Sequence, residues 1–201
     1  MREHVRMPTR PPLFYFGAMS PYSWFAAERI ERLLPGARWR GVFAGAIFKA
    51  NGRSSWGLGE QRSEGMTDCE ARAAIHGLGK IRWPDPWPTS DLLIARAMVH
   101  ADSRGRLRSF ALGAMRLSFL EGADLGEAAT VLEAGRRAGM EPPELEAALT
   151  DPLVKQALRD VNDEALGLGV FGVPTVALER QLFWGDDRLE EGADAYRALS
   201  A

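Results

Sequence analysis

With 201 residues, one cysteine, and 25 basic against 27 acidic side chains for a net charge of -2, the chain has room for one medium domain and lacks the basic surplus of a nucleic-acid binder. Hydrophobic residues at 46% and charged residues at 26% match an ordinary folded domain and exclude disorder and fibrous repeats. Cys69 alone makes neither an intrachain disulfide nor a dithiol pair, and His4, His76 and His100 have no metal-ligand spacing with any Cys, Asp or Glu cluster.

The opening MREHVRMPTRPP, with arginines at 2, 6 and 10, reads as a Pro-broken tail over residues 1–12. No apolar h-region follows it, and no window approaches the ~18 apolar residues of a membrane helix, so a cytoplasmic protein without a membrane partner is expected. Leu13 to Ala18 is a short aromatic run bounded by Pro12 and Ser20, the pattern of a buried strand. Ser20 is a good N-cap with Pro21 in the first helical position, and a helix through WFAAERIERLL then stops at Pro35-Gly36. Arg38 to Phe43 alternates and predicts a second strand. Gly45 to Gly65 is rich in Gly, Ser and Asn and reads as an exposed loop. Helical spacing then dominates over Thr67–His76, Thr89–Arg104, Leu107–Leu120, Glu127–Ala138, Pro143–Leu149 and Pro152–Leu168, with WPDPWP between the first two. Strand text resumes at Pro174–Leu178, turns at Glu179-Arg180, continues through Gln181–Trp184, and GDDRLEEGADAYRALSA closes as a helix.

This order, β-α-β, a helical block, then β-β-α, describes an α/β thioredoxin fold over 13–65 and 170–201 with an all-helical insertion at 66–169, the DsbA-like variant. Fold alone does not decide function. Three segments meet in such a frame. At the first, Ser20-Pro21-Tyr22-Ser23-Trp24 sets a hydroxyl at a helix N-terminus, where free N–H groups favour negative charge. Dithiol enzymes carry two cysteines there, and serines at 20 and 23 remove that exchange. Ser20 reads either as a plain N-cap or as a donor to the thiolate of a bound thiol. A thiol of pKa ~8.5 needs ~1.36 kcal/mol per unit of lowering. A helix terminus supplies ~0.3 to 1 kcal/mol, and a hydrogen bond to a charged acceptor ~1.5 to 3, so both are needed to bring it near 7.

At the second segment, Gly172-Val173-Pro174-Thr175 precedes a strand. X-Pro bonds are cis in only ~5 to 6% of folded cases, and the sequence leaves the isomer open. A cis bond would turn the Val173 peptide groups outward to pair with an extended ligand. At the third, Gly185-Asp186-Asp187-Arg188 starts the last helix, with Asp187 and Glu190 at capping-box spacing. Trp56, Trp83, Trp87 and Trp184 serve either ordinary packing or the wall of an apolar cleft above these segments.

FYFGAMSPYSWF, the GVPT loop and FWGDDRLEE together resemble the corresponding segments of 2-hydroxychromene-2-carboxylate isomerases and kappa-class glutathione transferases, over about residues 13 to 199. The resemblance implies a glutathione site and a homodimer. Ser20 would hold the sulfur, Val173 before Pro174 would pair with the cysteinyl backbone, and Asp187 would bind the γ-glutamyl amine. The last helix's N-terminus, with Asp186 at the family's Ser or Asn position, would take the γ-glutamyl carboxylate. The family's GxxxKxxGN loop reads GAIFKANGRSS here, so Lys49 matches, Asn51 precedes the glycine, and Arg53 stands at the asparagine position. Lys49 and Arg53 would neutralise a substrate carboxylate, with Asn51, Tyr22 and Trp87 as further substrate-wall candidates. The family's acidic residue at the end of strand one is Gly17 here. The activity implied is glutathione-dependent isomerisation of a 2-hydroxychromene-2-carboxylate-like small aromatic molecule. Alternatives are a kappa-like transferase or peroxidase, and a non-catalytic binding protein.

Overall fold

The computed structural model describes residues 10–200; the first nine residues of the expected tail lie outside them. Pro12 is already buried, and its carbonyl accepts the Arg38 N–H at 2.8 Å. Four strands, β1 (Leu13–Phe16), β2 (Arg38–Gly41), β3 (Thr175–Leu178) and β4 (Gln181–Trp184), form one sheet in the order β2-β1-β3-β4. β1 runs parallel to β2 with Leu13 opposite Arg38, and antiparallel to β3 with Tyr15 opposite Thr175; β3 pairs antiparallel with β4. The parallel pair needs a crossover, supplied by α1 (Pro21–Ala27) and α2 (Ile30–Leu33). The antiparallel pair needs only the two-residue turn at Glu179, which has a φ of 51°.

Alternation along β1 sorts its aromatics between two cores. Phe14 and Phe16 stack at 5.2 Å on the insertion side, and each meets Trp39 edge-on, at 5.1 and 5.3 Å. Tyr15 faces the other side, packing with Val42, Ile47, Val170 and Ala177. Its hydroxyl donates to Glu164 at 2.5 Å, and Arg40 pairs with the same carboxylate. All three β1 aromatics are fully buried, and each is worth ~1.5 to 3 kcal/mol of transfer free energy.

The insertion is helical as expected: α5 (Leu92–Ser103), α6 (Leu107–Glu121), α7 (Ala128–Arg137), α8 (Pro142–Ala148) and α9 (Pro152–Gly167), followed by β3, β4 and α10 (Leu189–Ser200). Three features differ from the expectation. The first helix is broken at Glu28-Arg29, where the Arg29 N–H reaches back only three residues to the Ala26 carbonyl. The expected loop after β2 contains α3 (Ala44–Ala50) and a short 3-10 turn at Trp56–Leu58. The next helix, α4 (Arg62–Ile75), begins five residues before Thr67. In α3, Ala44 and Ile47 bury one face and the first N–H is taken by a distant side chain, that of Asp91. Local sequence shows neither. No helix among the described residues is long and apolar enough to cross a membrane.

Candidate active site

The strand β1 ends where Gly17 turns the chain. Its N–H is accepted by the buried Ser23 hydroxyl oxygen at 3.3 Å, and its carbonyl accepts the Ser20 N–H at 3.1 Å. A Cβ on Gly17 would stand 2.9 Å from the Ala44 Cβ and 3.5 Å from Val173. The approach of α3 therefore leaves no space here for the acidic side chain of the resembling family. Ser20 caps α1: its oxygen accepts the Ser23 N–H at 3.2 Å. No acceptor among the described residues takes its hydroxyl proton, so Ser20 satisfies the cap and still has a proton to donate.

Ser20 lines a cavity of about 760 Å³ between the sheet end, α3 and the start of α4. Met19, Tyr22, Phe48, Trp56, Trp87, Val173 and Trp184 give it apolar walls, while Arg53, Glu60 and Asp91 add charge. Val173-Pro174 is cis, as are Asp85-Pro86 and Trp87-Pro88. No backbone hydrogen bond from another described residue occupies the Val173 N–H or C=O. The Pro174 carbonyl accepts the Gly185 N–H at 2.9 Å, tying this loop to the start of the last helix.

The aromatics are joined. Trp56 lies 5.1 Å from Trp87 and 6.1 Å from Tyr22, and Trp83 lies 4.6 Å from Trp87 on the far side. Tyr22 donates to Asp68 at 3.2 Å, and the Arg72 guanidinium covers its ring at 5.3 Å. Burial raises the Tyr22 phenol above its ordinary range, so it is a hydrogen-bond donor at neutral pH. Trp87 is 5% exposed and its buried indole N–H has no partner among the described residues. Arg53 rests between Trp184, 4.8 Å to the ring centre, and Phe171, 5.5 Å, which fixes a cation at the mouth.

Ser20, Tyr22, Arg53, Trp87 and Val173 thus share one cavity, while Lys49, Asn51, Asp186 and Asp187 are not on its wall. Lys49 sits on the other face of α3 and lines a separate groove with Arg96, Lys155 and Arg159. A helix turns ~100° per residue, so Phe48 at the cavity puts Lys49 away from it. Asn51 is the C-cap of α3 and donates to the Ile47 carbonyl at 2.9 Å. Asp187 is exposed beside Gly185, whose φ of 113° lets its Oδ1 fold back.

Asp186 turns inward. Its side chain is 3% exposed and meets Arg72 at 3.0 Å, Arg29 at 3.7 Å and His76 at 3.6 Å. Arg29 also pairs with Glu190. Burial and then Asp187 hold the Asp186 carboxyl above its ordinary pKa, against the pull of Arg72, Arg29 and His76. Its oxygens face Arg72, Arg29 and His76 and not the cavity, where the expected γ-glutamyl carboxylate would meet it. His76, unassigned in the sequence, belongs to this cluster. Cys69 is fully buried, its thiol pushed up to about 12 by burial, and it is not on the cavity wall.

One functional candidate carries no signal in the sequence. Asp91 is the N-cap residue of α5, yet its carboxyl makes no cap bond there and accepts the Ala44 N–H of α3 at 3.0 Å. It lines the Ser20 cavity, and burial raises its pKa to about 6. Nothing in the local text SDLL distinguishes it from an ordinary helix cap.

A thioredoxin frame with serines at both positions of its first helix turn, a proline loop facing them and a helical insertion overhead defines a DsbA-like protein without the dithiol. The DSBA-like thioredoxin domain family matches residues 13–197, and the chain belongs to that family. Among solved structures, a 2-hydroxychromene-2-carboxylate isomerase is similar at a TM-score of 0.82 and 18% identity, covering 94% of this chain and 96% of that one. A probable DsbA oxidoreductase from Streptomyces coelicolor matches at 0.75 and 21%, covering 94% and 89%. The cytosolic disulfide reductase DsbM from Pseudomonas aeruginosa, solved with GSH, matches at 0.64 and 18%, covering 94% and 96%. At these identities the likeness is one of fold. The comparison with curated proteins found no match.

Proposed function

We propose that the protein is a glutathione-dependent isomerase acting on a small aromatic carboxylate of the 2-hydroxychromene-2-carboxylate type. The observation that carries this reading is the Ser20 hydroxyl, which caps α1 through its oxygen and presents an uncommitted proton to a largely apolar cavity. That geometry suits a thiolate brought by a ligand, since the chain's own thiol is buried elsewhere. The residues fit glutathione at its cysteinyl part: Ser20 faces the sulfur, and the free Val173 peptide groups suit the cysteinyl backbone. Asp187 is exposed and available to an amine, whereas Asp186 is buried beside Arg29, Arg72 and His76. Bound glutathione supplies a nucleophilic sulfur that adds to and leaves a conjugated alkene.

The chain's own groups do the rest. Ser20 and the α1 N-terminus stabilise the sulfur anion. Arg53, held by Trp184 and Phe171, faces the substrate carboxylate. Tyr22, Trp56 and Trp87 exclude water from the aromatic ring. Serine at both 20 and 23 argues against disulfide exchange. The test is calorimetric titration with glutathione, joined to a spectrophotometric assay with glutathione and the chromene acid. Expected are binding at or below millimolar concentration and turnover without net glutathione consumption. Absence of binding at millimolar glutathione sinks the cofactor, and equal rates for wild type and Ser20→Ala sink the role of Ser20. Net consumption of glutathione would favour the transferase reading.

A further inference from the structure

The wall of the Ser20 cavity holds one carboxyl that the thiol chemistry does not use. Asp91 sits where α5 begins, and its side chain crosses to α3, where Oδ2 accepts the Ala44 N–H. The other oxygen, Oδ1, lies beside Gly45. A Cβ at Gly45 would stand 3.0 Å from the Phe43 ring and 3.4 Å from this oxygen, so a larger residue there would crowd the carboxyl. Gly45 is itself exposed on the cavity wall. The carboxyl is therefore tied to the start of α3 by the backbone while Asp91 stands on the cavity wall.

We propose that Asp91 is the acid–base group of this site, moving a proton between substrate oxygens during ring opening. The inference rests on the isomerase reading above. In a 2-hydroxychromene-2-carboxylate, carbon 2 bears a hydroxyl, the ring oxygen and the carboxylate. As the ring opens, the hydroxyl proton passes to the Asp91 carboxylate, and the O–H electron pair becomes the second bond of a ketone. The bond from carbon 2 to the ring oxygen breaks, with its electron pair on the phenolic oxygen. That oxygen then takes the proton from the Asp91 carboxyl, which returns to carboxylate. Atoms and charge balance, with no oxidant or reductant. The titration of Asp91 suits such a transfer, because burial lifts it to about 6 while the N–H groups of Ala44, Gly45 and its own residue pull it back. A general acid–base group works best with a pKa close to the operating pH. The other titratable or charged groups on the cavity wall are Tyr22, Arg53 and Glu60, and none is among the causes of the Asp91 shift.

The experiment has two arms. Carbon-13 NMR of the side-chain carboxyls in the protein without glutathione gives the Asp91 midpoint directly. A value near 6 that moves on adding the chromene acid supports the proposal; a midpoint below 5, or one the acid leaves unmoved, overturns it whatever the substrate. In the kinetic arm Asp91→Asn, whose amide oxygen can still accept the Ala44 N–H, is compared with wild type from pH 5 to 9. Expected is a fall in kcat of about 10²- to 10⁴-fold with loss of the acidic limb, while glutathione affinity stays within about twofold. A rate within threefold of wild type, or an acidic limb retained by the variant, overturns the role. A wild-type protein that binds no glutathione defeats the functional reading alone, and the NMR midpoint still decides Asp91.

Discussion

Asp91 and Asp186 are both sheltered carboxylates near a helix start, and burial raises the pKa of both. Their surroundings differ. Asp186 is ringed by Arg29, Arg72 and His76 and is not on the wall of the Ser20 cavity, whereas Asp91 lies on that wall with its carboxyl held by backbone N–H donors instead of cations. The pair separates two uses of the same side chain. A carboxylate saturated with guanidinium groups fixes the insertion helix α4 and the α1–α2 break to the start of the last helix. A carboxylate held by dipoles alone keeps its proton within reach of neutral pH.

The largest test of that contrast is Asp186→Ala. It removes the buried carboxylate between Arg29 and Arg72, which keep only their more exposed partners Glu190 and Asp68, and removing one partner of a buried pair costs ~3 to 5 kcal/mol. Because Arg72 is 33% exposed, the lower end, about 3 kcal/mol, is expected in denaturant unfolding; a loss under 1 kcal/mol would erase the distinction. Next comes the pH dependence of stability. Asp91 has a folded pKa of about 6, raised above its unfolded value, so its contribution is fully present below about pH 4 and is lost as pH rises through 6. At ~1.36 kcal/mol per unit this amounts to about 2 to 3 kcal/mol. Asp91→Asn removes that slope, so unfolding curves of variant and wild type should separate between pH 4 and 6 and run parallel above about 7. Parallel curves throughout would place Asp91 with ordinary surface acids.

Ser20→Ala should cost about 1 kcal/mol through loss of the α1 cap, seen as a small drop in melting temperature, beside its larger effect on turnover. Smallest is Arg53→Ala. It sacrifices an exposed cation–π arrangement and should lower unfolding stability by no more than ~0.5 to 1 kcal/mol, while weakening binding of an aromatic carboxylate about threefold to fivefold in calorimetry.

The strands are legible in the sequence because each has its own text: the aromatic run of β1, the alternation of β2, the TVAL and QLFW pair. Ser20, Tyr22 and Val173 are legible as neighbours on one cavity wall because SPYSW and GVPT have fixed places in the frame. The region after β2 is not. AGAIFKA has few helix signals, and its first N–H is satisfied by a carboxylate 47 residues downstream, so the sequence gives Lys49 no fixed direction, and the fold turns it to the opposite helix face. Asp186 misleads in another way. Its text is that of a helix start, while its fate is set by arginines at 29 and 72 that only the fold brings to it. Asp91 is hidden behind an apparent cap that belongs to a different helix.

Beyond Gly41 the edge strand β2 runs into Phe43, whose N–H and C=O are both engaged by the side-chain amide of Asn162 on α9, at 3.0 and 3.1 Å. One buried amide thereby imitates the neighbouring strand this edge lacks. A foreign chain attempting to zip onto the sheet at this point meets polar groups already spoken for. The opposite border, with Gln181 and Trp184 exposed, shows no such side-chain amide across its backbone groups among the described residues.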